Sequence, residues 1–144
     1  MNWDTYFLNL AKTISLKSPD VHTKHGCVLV NPQNHIVGTG FNGFPKILPN
    51  EVFPTTRPEK YDFIIHAELN AILNSTGTLV GCRCYVTGKP CLNCLSSLWQ
   101  SDVKHIIYGS TSSLMCSSPE YEKKYQFLLD LMLDTGLRFE KLED

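Results

Sequence analysis

Two short segments hold the residues best suited to chemistry: His66-Ala67-Glu68 and Pro90-Cys91-Leu92-Asn93-Cys94. A catalytic zinc ion takes three protein ligands and keeps its fourth position for water. His66, Cys91 and Cys94 supply such a set. Residues at i and i+3 share one face of a helix, so a helix starting near Cys91 aims both sulfurs the same way. Pro90 suits the first position of that helix, where its missing N–H costs nothing. The partial positive charge of a helix N-terminus favours thiolate, the form that binds metal. Glu68, two residues beyond His66, need not share the ligand direction and can stand beside the metal-bound water. There it would take a proton and pass it to a substrate nitrogen, because zinc brings the pKa of its water to about 7.

Each segment alone has a plainer reading. A lone CxxC is commonly half of a structural zinc site or a redox pair, and His-Ala-Glu a helix start with a surface acid. Together and in this order they favour catalysis, since Glu68 has no structural reason as good as the catalytic one. A zinc-stabilised binding module without turnover stands as the alternative. Such a site normally closes with a fourth protein ligand, and none is evident near the two motifs.

The elements that must position these residues follow from periodicity. Residues 2–15 place Trp3, Phe7, Leu8, Leu10 and Ile14 mostly on one helical face. Residues 26–30 and 36–39 read as a hairpin around Asn31-Pro32-Gln33-Asn34. From Gly40 to about Tyr61 the chain is rich in Gly, Pro and Asn, a loop length that is usually functional or mobile. Residues 65–75, 91–100 and 119–135 are predicted helices, and 83–87, 103–108 and 137–142 are predicted strands. This order predicts one domain over 1–144, an α/β fold with a mixed sheet covered by helices on both faces.

Composition excludes several classes. The 144 residues carry a formal net charge of −1, which gives no global reason to bind a nucleic acid polymer. No apolar run is long enough to cross a bilayer, and the N-terminus lacks the pattern of a signal peptide. A cytoplasmic protein is expected, whose six cysteines serve metal binding or burial, not disulfides.

At these motifs the sequence resembles the cytidine deaminase superfamily, whose signature is His-x-Glu followed by Pro-Cys-x-x-Cys. Thr23-Lys24-His25-Gly26-Cys27-Val28-Leu29-Val30, Gly38-Thr39-Gly40-Phe41-Asn42-Gly43-Phe44-Pro45 and His66-Ala67-Glu68-Leu69-Asn70-Ala71-Ile72 narrow the likeness to the deoxycytidylate (dCMP) deaminases. The likeness runs from the first helix to about Tyr108 and weakens over the last quarter. It implies a three-layer α/β/α fold with a mixed five-stranded sheet, and Zn2+-dependent conversion of dCMP to dUMP and ammonia, supplying dTMP synthesis. It further implies a homo-oligomer, usually a hexamer. Many members are activated by dCTP and inhibited by dTTP with Mg2+, but no residue here is matched to that control. Bacteriophage members have similar length, which makes a viral source and a host-cytoplasm location an expectation.

By resemblance, Asn42 contacts the sugar or base, the backbone around Ala67, Thr87 and Pro90 reads the cytosine edge, and Tyr108 borders the ring. On the residues alone, Asn42-Gly43 is equally a turn. Thr87-Gly88-Lys89-Pro90 departs from the commoner Thr-Leu-Ser/Glu-Pro form. Lys24 and Lys46 are candidate phosphate cations, although exposed lysines are usually just solvated. Cys27, Cys82 and Cys84 read better as buried apolar side chains than as a second metal site. Cys116 carries no assigned role, and His22, His25, His35 and His105 read as surface or hydrogen-bonded histidines. Within the same chemistry, a deaminase acting on tRNA adenosine or a free base is the runner-up.

Overall fold

Strand β1 (Gly26–Val30) has all five residues buried, which a strand shows only when both faces of its sheet are covered. The computed structural model describes residues 1–112 and 118–143; Cys116 lies outside them. β1 pairs antiparallel with β2 (Ile36–Phe41) and with β3 (Arg83–Val86). β3 pairs parallel with β4 (His105–Tyr108), and β4 with β5 (Arg138–Lys141). The result is a mixed five-stranded sheet of order β2-β1-β3-β4-β5.

Alternation along the strands splits the core into two layers. Val28, Val30, Tyr85 and Ile107 pack on Phe7 and Ala11 of α1 (Trp3–Ser15). Cys27, Leu29, Cys84, Val86 and Ile106 face the other way. They meet Ala67 and Ala71 of α2 (Ala67–Leu73), Leu95 and Leu98 of α3 (Leu92–Gln100), and Tyr125, Leu129 and Met132 of α4 (Pro119–Asp134). The predicted three-layer α/β/α arrangement is therefore present. Cys27, Cys82 and Cys84 belong to this second core layer, as the apolar reading required. No helix among the described residues is long and apolar enough to cross a membrane.

α2 lies unusually close to the sheet because β2 offers it glycine. A Cβ on Gly40 would stand 2.4 Å from the Ala71 nitrogen and 2.5 Å from the Ala67 oxygen. Element ends differ from the predictions by one to two residues in several places. β4 opens at His105 and not Val103, because Asp102 turns the chain with φ 75° and the Val103 N–H is spent on the Leu98 carbonyl. Within the predicted 40–61 loop, β2 runs on to Phe41, and two short 3-10 turns form at Asn50–Val52 and Glu59–Asp62. A bridge between Gly43 and Ile65 ties the loop's two ends together.

Candidate active site

α2 and α3 bring the two motifs together by their N-termini. His66 is the N-cap of α2 and Cys91 the N-cap of α3, both with extended backbone, and neither side chain caps its own helix. Pro90 therefore precedes the N-cap and does not take the first helical position expected of it. The side chains released from capping converge. His66 Nδ1 lies 3.4 Å from Cys91 Sγ and 3.3 Å from Cys94 Sγ, and the three donor atoms lie within 4.8 Å of one another. Tetrahedral zinc with ordinary Zn–N and Zn–S lengths would set each N···S separation at about 3.6 Å, so the donor set fits the ion. Among the described residues, this is the group of three metal-donor side chains that gathers.

The electrostatics agree with that reading. The Cys91 thiol is held well below the ordinary thiol range by its hydrogen bond with Cys94, and His66 adds to the effect against burial. Cys94 moves upward for the same reason, since a coupled pair shares one favoured thiolate. The imidazole of His66 is raised by the Cys91 sulfur. Glu68, in the first turn of α2, is buried, and burial pushes its carboxyl up to about 7. An acid poised there can both accept and return a proton near neutral pH.

These groups open into a cavity of about 70 Å3 lined by His66, Ala67, Glu68 and Cys91 on one side. Asp20, Thr23, His25 and Asn42 form a second wall, Arg57, Lys60, Tyr61 and Ile64 a third, and Gly88 with Lys89 completes it. Asn42 is both a joint and a lining residue. Its side-chain oxygen accepts the His25 N–H at 2.8 Å, and its amide nitrogen donates to the Thr23 carbonyl at 2.9 Å. Thr87 and Pro90 are turned inward to the fold. The Thr87 N–H donates to the Gly26 carbonyl, the Thr87 carbonyl accepts from Thr111, and the Pro90 carbonyl accepts the Tyr125 hydroxyl. Tyr108 packs on Phe139 with the rings tilted by 34° and their centroids 4.8 Å apart, and it does not line the cavity. Ala67 does.

The cations differ from those singled out by sequence. Lys24 donates to the Ser18 carbonyl at 2.9 Å and is not a lining residue. Lys46 lines a separate groove of about 740 Å3 with Ile47 and Leu48. Arg57, Lys60 and Lys89 line the metal cavity instead, with Arg57 and Lys89 exposed and Lys60 buried. Lys60 donates to both oxygens of Asp20, at 3.0 and 2.9 Å. Burial alone would raise the Asp20 carboxyl, but hydrogen bonds from Lys60, His22 and Thr23 hold it below its usual range. His25 is hydrogen-bonded as expected, Nδ1 to Thr87 Oγ1 at 3.1 Å, yet its ring also lines the cavity. A Cβ on Gly88 would stand 2.2 Å from the Thr111 carbonyl oxygen and 2.9 Å from that ring, so glycine lets this loop lie against both.

A zinc-binding deaminase domain is the class that this fold and donor set define. The chain belongs to the family described as the cytidine and deoxycytidylate deaminase zinc-binding region, whose model matches residues 1–110. It is 42% identical over 107 residues to a probable deoxycytidylate deaminase of Caenorhabditis elegans, covering 71% of this chain and 54% of that one. It is 37% identical over 117 residues to the deoxycytidylate deaminase of Homo sapiens, covering 76% and 66%. The chain thus spans between half and two thirds of the length of these relatives. In fold it is similar to the dCMP deaminase of the cyanophage S-TIM5, with TM-score 0.72, 24% identity and 96% of each chain covered.

Proposed function

We propose that this chain is a zinc-dependent hydrolytic deaminase that converts dCMP and water to dUMP and ammonia. The observation that carries the reading is one cavity with two chemistries. His66, Glu68 and Cys91 line its inner side, and the exposed cations Arg57 and Lys89 line it as well. That pairing suits a small monoanionic or dianionic nucleotide, for which a chain of net charge −1 needs only local positive charge. The names of the two curated relatives point to the same substrate.

His66 Nδ1, Cys91 Sγ and Cys94 Sγ would hold the zinc ion, which would supply a Lewis acid and a water acidic enough to act as nucleophile near neutral pH. Glu68 does the proton work. Its carboxylate takes a proton from the attacking water as the C4–O bond forms and gives it to the pyrimidine N3. It then takes the second proton from the new hydroxyl and gives it to the amino group, which leaves as ammonia when the C4–N bond breaks. Glu68 is buried beside the donor set, so it can carry the proton from one atom to the next out of reach of bulk water. Ala67 brings the backbone at the α2 N-terminus to the substrate, and Asn42 holds the loop that flanks the sugar.

The reading includes a cytoplasmic enzyme acting as one domain and a homo-oligomer, a hexamer by family likeness. Control by dCTP and dTTP with Mg2+ belongs to it on the same ground. Ammonia release from dCMP, CMP, deoxycytidine and tRNA adenosine, measured side by side on the zinc-loaded chain, tests the substrate. Turnover confined to dCMP is expected. Equal turnover of deoxycytidine would overturn the nucleotide assignment, and silence on dCMP would overturn the activity.

A further inference from the structure

The proton chemistry leaves one pair of buried charges unused. Lys60 is 2% exposed, and its ammonium grips both oxygens of Asp20, whose residue is 8% exposed. Taking two ions out of water costs several kcal/mol each, and an apolar pair often serves stability as well. Stability alone is thus a weak reason to keep such a pair.

Its position supplies a better one. Asp20 pins the 20–25 turn: Oδ1 accepts the backbone N–H of His22 at 2.8 Å and of Thr23 at 3.1 Å. From that turn the network runs on to the cavity, because Asn42 bridges the Thr23 carbonyl and the His25 N–H. Lys60 pins the facing wall. It lies in the Glu59–Asp62 turn, and its carbonyl accepts from Phe63 and Ile64 at 3.1 and 2.9 Å. Asp20, Arg57, Lys60, Tyr61 and Ile64 all line the cavity. A second polar contact between the two walls, Arg57 to Thr23 Oγ1, is exposed and long at 3.5 Å.

We propose that Asp20 and Lys60 are positioning residues that latch the 57–64 wall against the 20–25 turn. The latch fixes the width of the cavity and delivers Arg57 to the substrate's anionic group. Lys60 spends its charge on Asp20, so it acts through the wall and not as a ligand. The reading that the cavity receives a nucleotide, given above, underlies this assignment.

The test uses the zinc-loaded full chain with K60M, D20N and the D20N/K60M double variant. Asp20→Asn keeps an oxygen for the His22 and Thr23 amides, so the double variant removes the two charges while the turn stays capped. The singles leave one buried charge unpaired and lose stability; the double recovers it. The double variant is expected to keep wild-type zinc content and a kcat within about threefold of wild type while KM for dCMP rises about tenfold. Amide exchange over 57–64 should be at least about tenfold faster than wild type in the absence of substrate. Wild-type exchange over 57–64, or a wild-type KM, in the double variant would overturn the latch. Because exchange is read without turnover, absence of dCMP deamination by the wild-type chain would sink the substrate assignment and leave the latch to be decided separately.

Discussion

His66 and Cys91 hold equivalent places on two different helices: each is an N-cap with extended backbone whose side chain, 3.4 Å from the other, ignores its own helix. An N-cap side chain ordinarily satisfies an amide of the first turn, a contribution of about 1 kcal/mol. Here both helix starts forgo it so that imidazole and sulfur can meet. Metal binding should therefore return stability that the helix ends gave up. Chelation of zinc is expected to lower the melting temperature and abolish turnover, and re-addition to restore both. Cys91→Ser and Cys94→Ser should each lose stoichiometric zinc by elemental analysis. A variant of either kind that held zinc at full occupancy would contradict the ligand set.

Glu68 gives a prediction with a defined sign. In the metal-free chain its carboxyl sits at about 7 against an ordinary value of 4.5, chiefly through burial and then the Cys91 charge. A folded-state value above the unfolded one means the folded chain binds the extra proton between them. This contribution is fully present below 4.5 and is lost as pH rises through about 7, to the extent of about 3 kcal/mol. Glu68→Gln should flatten that segment of the stability curve of the chelated protein. With zinc restored, the same variant should bind metal normally and turn over at least about a thousandfold more slowly. Near wild-type turnover would remove Glu68 from the proton path.

Arg57 and Lys89 line the cavity from exposed positions, where single cations contribute modestly and salt screens them. Each alanine variant is expected to raise KM for dCMP about three- to tenfold and leave deoxycytidine kinetics unchanged. Lys24→Ala should do neither, since its ammonium is tied to the Ser18 carbonyl and it does not line the cavity. A matched loss on deoxycytidine would show that Arg57 and Lys89 shape the site without reading the phosphate.

Gly40 tests the packing beneath the site. A methyl group there would meet the Ala71 nitrogen at 2.4 Å, and backbone cannot swing aside as a flexible side chain can. Gly40→Ala should cost about 2 kcal/mol or more in chemical denaturation and should loosen zinc, because α2 carries His66 at its start. A stable, fully metallated Gly40→Ala protein would mean that α2 adjusts more easily than its backbone contacts imply.

The metal donors and Glu68 were legible in the sequence because their arrangement is local: each motif fixes its geometry within a single helix turn. The strands were legible for the same reason, through alternation and through the fully apolar run of β1. Arg57, Lys60 and Lys89 were not, since nothing in a loop's own composition says which cation will fold over a cavity. Asp20 and Lys60 are 40 residues apart and meet only through tertiary structure. His25 was read as a hydrogen-bonded histidine, which it is, but its place in the cavity depends on Gly88 standing against its ring. The expectation that the backbone around Thr87 and Pro90 reads the cytosine edge came from family likeness; within this chain that backbone is held in place by Gly26, Thr111 and Tyr125.

The strand at the far margin of the sheet, β5, is four residues long, and three of them are Arg138, Glu140 and Lys141. An unpaired strand margin is a template on which foreign strands can grow, and short length with charge is how natural proteins blunt it. Glu140 and Arg138 are further engaged with each other at 3.2 Å. By that rule a margin this short and this charged is a poor template for strand addition.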